Sequence, residues 1–203
     1  MPETVPPVAD KPGRKSRLSP DREQELYTCV VDQLREVGYE ALSMEAVAAA
    51  TRSSKATLYR RWKSKPQLVV TALRHTRRVQ LSGIDTGTLR GDLHELADRM
   101  GSVSGEDTEL MQAMMHAARR NEELAAALRE VMAGPEMAAL RGLAERAVAR
   151  EELANASPAA EFLPHLVIGV VLARFPLEGC DADAEYLHRY VDAVILPALS
   201  PQG

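Results

Sequence analysis

Apolar residues recur along most of this chain at spacings of three and four, the period of an α-helix, and nowhere alternate as a half-buried strand requires. Leu26, Val30, Leu34 and Val37 mark a first helix. Ser19 and Pro20 open it, Asp21 and Glu23 suit its positive start, and Gly38 stops it. Ser43 caps a short second helix whose apolar face is Met44, Val47 and Ala48. After a break over residues 51–53, a third helix runs from about Ser54 to Trp62. Ser64 caps a fourth, with Pro66 tolerated in its first turn and Leu68, Ala72 and Val79 on one face. Three short helices inside about 45 residues, followed by a longer connecting one, match the organisation of a small DNA-binding head.

The remainder is helical almost throughout, so the expected fold class is all-α. Leu89, Leu93, Leu96, Met100 and Val103 mark one helix, and Leu110, Met111, Met114 and Met115 another. Leu124, Leu128 and Val131 give a third, which Gly134 and Pro135 are expected to separate from Leu140, Leu143, Ala147 and Val148. Ser157 and Pro158 open the most apolar stretch of the chain, ending near Phe175. Asp183 caps a last helix bearing Leu187, Val191, Val194 and Ile195, which Pro197 should end. The run from Phe162 to Phe175 falls short of the roughly 18 to 20 apolar residues of a membrane span, so no membrane is expected. Residues 1–18, rich in proline and charge, read as a flexible basic tail, without the apolar core of a signal peptide.

Charge changes the picture more than composition does. The net charge of −4 conceals a net of +6 over residues 1–80 and −10 over residues 81–203. No acidic residue lies between Glu45 and Asp85, a window holding Arg52, Lys55, Arg60, Arg61, Lys63, Lys65, Arg74, Arg77 and Arg78. That asymmetry favours a polyanionic partner for the N-terminal part alone. Cys29 and Cys180 lie far apart and match no metal or redox spacing, which predicts a reduced, cytoplasmic protein.

On a wheel of residues 54–63, Leu58 and Trp62 fall on one side, and Ala56, Tyr59, Arg60 and Lys63 on the other. Lys55 and Thr57 flank the outward face. Arginine reads guanine edges, alanine and the threonine methyl touch thymine methyls, and tyrosine and lysine hold phosphates. The same wheel also fits an amphipathic surface helix with a solvated side.

Residues 43–69, SMEAVAAATRSSKATLYRRWKSKPQLV, resemble the head of the tetracycline-repressor (TetR) family. The most specific part is Thr57, Leu58 and Tyr59 followed by Trp62, Ser64 and Lys65, supported by Gly38 and Tyr39 at the end of the first helix. The resemblance covers about residues 20–70. It implies a helix-turn-helix domain over 19–66 whose third helix enters the major groove. Tyr59, Lys65 and Ser43 would anchor phosphates, and Lys55, Ala56, Thr57 and Arg60 would read sequence. Ser54 and Lys63 complete the candidate contact set. Many relatives carry glycine where this chain has Arg52, so the turn is expected to differ slightly, with Arg52 free to add a phosphate contact.

The resemblance also implies that residues 67–203 enclose an effector and form a homodimer, and hence that the operator is an inverted repeat. Leu163, Val167 and Val171, with Leu187, Val191 and Val194, are the candidate interface residues; a buried monomer helix would have the same composition. Met111, Met114, Met115 and His116, together with Met100, are candidates for a pocket taking a small, mostly apolar effector, although such a methionine stripe also suits ordinary core. Chemistry of other kinds finds little support. Glu185 and His188 form half of a di-iron motif whose second half is missing, and Asp98 stands where a zinc-protease motif beginning at His94 needs histidine. The expectation is therefore a DNA-binding regulator without cofactor or metal and not an enzyme: a repressor released from a palindromic operator by a small-molecule effector, with a constitutive DNA-binding protein without effector, or a helical-bundle enzyme, as the alternatives.

Overall fold

A computed structural model describes residues 19–77, 79–103, 105–153 and 158–200; the basic tail and Ser157 lie outside the described residues. Its elements are helices: α1 Pro20–Ala41, α2 Met44–Ala50, α3 Lys55–Trp62, α4 Lys65–Thr76, α5 Leu89–Gly101, α6 Gly105–Ala118, α7 Glu122–Leu128, α8 Gly134–Ala149, α9 Leu163–Glu178, α10 Ala184–Tyr190 and α11 Leu196–Leu199. No strand occurs among the described residues.

Serine chemistry punctuates the first four helices. The side chains of Ser19, Ser43, Ser54 and Ser64 each accept from a backbone amide three residues on, satisfying a donor that the helix start leaves free. Gly38, at φ 75°, breaks α1 in a backbone conformation that a side chain disfavours, and Leu42 N closes the end on Gly38 O at 3.2 Å. Val79 is buried but lies beyond α4, in the connector to α5.

Gly134 and Pro135 do not separate two helices as expected. A π-helical turn, Arg129–Ala133, carries α7 directly into α8. The widened turn accommodates the missing proline amide and its ring, which would clash in an unbroken helix. The same device recurs at Val191–Ile195, so Pro197 sits in the first turn of α11 and the helix ends at Leu199.

Two apolar clusters hold the chain together. One joins α1–α4 to Leu110, Met114 and Ala117 of α6 and to Leu124, Ala127 and Met132. The other gathers the connector, α5, α8, α9 and α10 around Leu93, Leu140, Leu163 and Ile195. Asp92, fully buried at the start of α5, accepts from Thr86 N at 2.6 Å, Thr86 Oγ1 at 2.8 Å and Arg150 Nη2 at 3.0 Å. Burial alone would raise its pKa, but these bonds to the carboxylate outweigh it and bring it below the ordinary value.

Of the methionine stripe, Met114 and Met111 belong to the first cluster, and the stripe does not converge on one cavity in this conformation. Met114 is 1% exposed in the cluster that joins α6 to the head, Met111 packs against that cluster half-buried, and Met115 and His116 face solvent. Met100 lies elsewhere, in a gap of only about 20 Å³ between α5, α9 and α10. The face of α6 bearing Met111 and Met114 is turned to the head, which is why the five residues do not converge.

The candidate interface residues also divide. Leu163, Val167, Leu187 and Val191 are buried in the chain's own second cluster, and Val171 is half-buried against it. Outward exposure falls instead on Phe162, Gly169, Phe175 and Leu177, with Val194 from the π turn before α11. A short 3₁₀ turn, Pro158–Phe162, extends α9 to 21 residues, long and apolar enough by length and composition to cross a membrane. The helix runs three residues beyond Phe175, where the apolar run in the sequence ends, and begins four residues before Phe162.

Candidate nucleic-acid interface

Leu58 and Trp62 fix α3 on the head. Leu58 is fully buried, and the Trp62 ring meets Tyr27 of α1 edge-on at 5.9 Å, while Tyr27 stacks on His75 of α4 at 4.7 Å. The opposite face is left to solvent: Ala56, Tyr59 and Arg60 are exposed, as are Lys55 and Lys63 at its ends. Thr57 is half-buried, its hydroxyl 2.8 Å from the Ser54 hydroxyl, and Ser54 also caps the helix through Thr57 N at 3.1 Å. Ser43 is engaged in the same way by Ala46 N at 3.1 Å.

The cations are held in three ways. Lys55 Nζ lies 2.7 Å from Glu45 Oε1 of α2, and Lys55 keeps the Glu45 carboxyl below its usual range. Arg61 pairs with Glu23 of α1. Among the described residues, Arg52, Arg60 and Lys63 make no ion pair and present their charge outward. The turn before α3 places Arg52 at φ 50°, the left-handed conformation that glycine adopts freely. The turn therefore has the geometry that glycine favours, at a cost in strain, and Arg22 of α1 braces it through Nη2 to Thr51 O at 3.1 Å.

Lys65 departs from its expected place. Its ammonium donates to Tyr39 O at 2.8 Å, Leu42 O at 3.0 Å and Glu40 O at 3.5 Å, and sits 4.2 Å from the centre of the Tyr39 ring. All three of its donors are spent on the carbonyl end of α1, which the break at Gly38 leaves open. Lys65 thus seats α4 against α1 in this conformation and is turned away from the face shared by Tyr59 and Arg60. Burial pushes the Tyr39 phenol up to about 12, with Glu123 and Glu40 adding to the shift.

The sequence missed Arg22, Glu23 and Glu45, which hold the turn and two of the cations. Their acidic or basic character at helix starts carried the only signal, and helix-dipole complementarity accounts for the acidic pair equally well.

Family comparisons agree with this geometry. Residues 31–72 match the model of bacterial regulatory proteins of the tetR family, and residues 84–194 match that of the tetracyclin repressor-like C-terminal domain. An uncharacterised HTH-type transcriptional regulator of Mycobacterium tuberculosis is 34% identical over 196 residues, covering 97% of this chain and 96% of the relative. A DNA-binding transcriptional repressor, TetR, of Mycobacteroides abscessus is 31% identical over 166 residues, covering 81% of this chain and 86% of its own. Among solved structures, the flavonoid-responsive regulator FrrA superposes with a TM-score of 0.64 at 22% identity, covering 90% of this chain and all of its own. This chain belongs to the TetR family of helix-turn-helix transcriptional regulators.

Proposed function

We propose that this regulator is a cytoplasmic homodimeric repressor that grips an inverted-repeat operator and releases it when a small, largely apolar molecule binds its helical body. The head of residues 19–66 supplies the grip and residues 67–203 the sensing and pairing. The observation that carries the reading is the apolar cluster shared by head and body: Met114 and Leu124 pack on α1 and α4, so a shift of α6 or α7 is felt at α3. Arg60 and Lys55 read bases beside Ala56 and Thr57, while Tyr59, Lys63, Arg52 and the capped helix starts at Ser43 and Ser54 meet phosphates. Pairing covers the exposed apolar face of α9 around Phe175. The repressor name of the Mycobacteroides abscessus relative and the effector in the name of the structural neighbour support the direction of control.

The test is fluorescence anisotropy on DNA upstream of the protein's own coding region, with and without each compound of an apolar panel. Release requires the compound to prefer the off-DNA conformation, and operator must then weaken compound binding by the same factor. Protection of an inverted repeat and a compound showing that reciprocity meet the proposal; a protein that leaves the inverted repeat unprotected overturns it. A second reading, a DNA-binding protein that senses nothing, has one observation in its favour: the interior between α5, α9 and α10 holds only about 20 Å³.

A further inference from the structure

The connector between α4 and α5 is held down by two arginines. Arg99 of α5 donates through Nη1 to Gln80 O at 2.9 Å and Ser82 O at 3.0 Å, and Arg146 of α8 donates through Nη2 to Ile84 O at 2.6 Å. Between connector and α8 lies a cavity of about 220 Å³. Leu81, Ile84, Leu140 and Leu143 are among the apolar residues lining it, and Ser82, Gly142 and Arg146 line it too. A dry cavity of about 150 Å³ suffices for benzene, so this one has room for a single ring and a small substituent.

The Arg146 guanidinium is only partly satisfied. Its Nε is buried without a hydrogen bond, 4.0 Å from Asp85 Oδ1, and its Nη1 has no acceptor among the described residues. Beside Nη1 stands Gly142, inside α8, where glycine is the poorest residue after proline. A Cβ at 142 would meet nothing nearer than Arg146 Nη1 at 3.5 Å, an ordinary contact. Neither packing nor a positive φ requires the glycine, and its missing side chain leaves space in front of the guanidinium.

We infer that this cleft binds a small monocarboxylic acid whose apolar body, about one ring in size, lies on the leucines while its carboxylate meets Arg146. A planar carboxylate matches the guanidinium, and the leucines beside it suit a ligand with an apolar body. The position gives the ligand a lever. Arg77, which closes α4, pairs with Glu136 in the first turn of α8 at 2.7 Å, and the connector begins immediately after it. A carboxylate competing with Ile84 O for Arg146 loosens the connector and, through it, the seat of α4 on α1. This regulatory role rests on the ligand-responsive reading above.

The experiment is calorimetric titration of the full-length protein with benzoate, and with neutral benzamide as its isostere. Benzoate is expected to bind once per chain and at least 10-fold more tightly than benzamide. Arg146→Gln should weaken it at least 10-fold. Because that change also unties the connector, Gly142→Leu serves as the second variant: it keeps the guanidinium, favours the helix, fills the cleft and should abolish binding with the melting temperature preserved. Equal binding of the two compounds, unchanged binding to Gly142→Leu, or no binding at millimolar benzoate overturns the site. Binding through Arg146 that leaves operator affinity unchanged overturns its regulatory role alone. Release of operator by another compound, undiminished in Gly142→Leu, leaves the ligand-responsive reading standing and removes the cleft from it.

Discussion

Two surfaces of this chain face outward, and their chemistry is opposite. On α3, Arg60, Lys63 and Tyr59 stand in water, where exposing charge carries no penalty and the face can wait for DNA. On α9, Phe175 is 54% and Leu177 80% exposed, and Val194, after α10, is 39% exposed. Each Å² of such surface costs about 25 cal/mol while it stays wet. Covering it in a dimer, as proposed above, would remove that cost, whereas the cationic face is stable as it stands. On the proposed reading, the difference separates a permanent contact from an occasional one.

The comparison breaks most severely if α9 stays single. Phe175→Asp or Val194→Asp should give helical monomers with operator affinity lowered by about 100-fold or more, because two linked half-site contacts become one. Val171, half-buried against its own core, is the poorer choice because aspartate there would disturb folding as well. Sedimentation of either variant as a dimer at micromolar concentration places the pairing face elsewhere.

On the other surface, Arg60→Ala should cost about 1–3 kcal/mol on the operator and little on random DNA, measured by anisotropy on both. Equal losses on the two would make Arg60 a phosphate contact. Lys63 and Lys65 sharpen the contrast within one short segment. Lys63→Ala should reduce the salt slope of DNA binding by about one with melting unchanged. Lys65→Met should leave three carbonyls of α1 without their donor, lowering stability by about 1–3 kcal/mol, with the salt slope retained. The reverse pattern would return Lys65 to the phosphates. The smallest effect is at the turn: Arg52→Gly should relieve left-handed strain and raise stability by about 1 kcal/mol, read by thermal melting, while removing one cation.

The head was legible because its signals are local. A serine cap, a glycine stop and the wheel of Leu58 and Trp62 each act within a few residues, and the structure repeats them. The body was less so, because the side on which a helix is covered depends on partners distant in sequence. Met114 and Leu163 read as pocket and interface and are both 1% exposed in the chain's own core. Pro135 and Pro197 read as breaks because proline penalises a regular helix, and a π turn escapes that penalty without leaving the helix. Lys65 read as an anchor because a basic residue beside a DNA-facing helix carries no sign of the carbonyls waiting 23 to 26 residues earlier.

The apolar cluster shared by α1, α4, α6 and α7 bears on how such a regulator acquires a new target. A head exchanged wholesale for another would strand Leu110, Met114 and Leu124 against a foreign surface, and the graft would lose the packing that makes it fold. A transplanted head would therefore need the seam copied with it. Ala56, Tyr59 and Arg60, exposed on the far side of α3, are free of that constraint, so new operator preferences should accumulate there by point substitution while the seam drifts slowly.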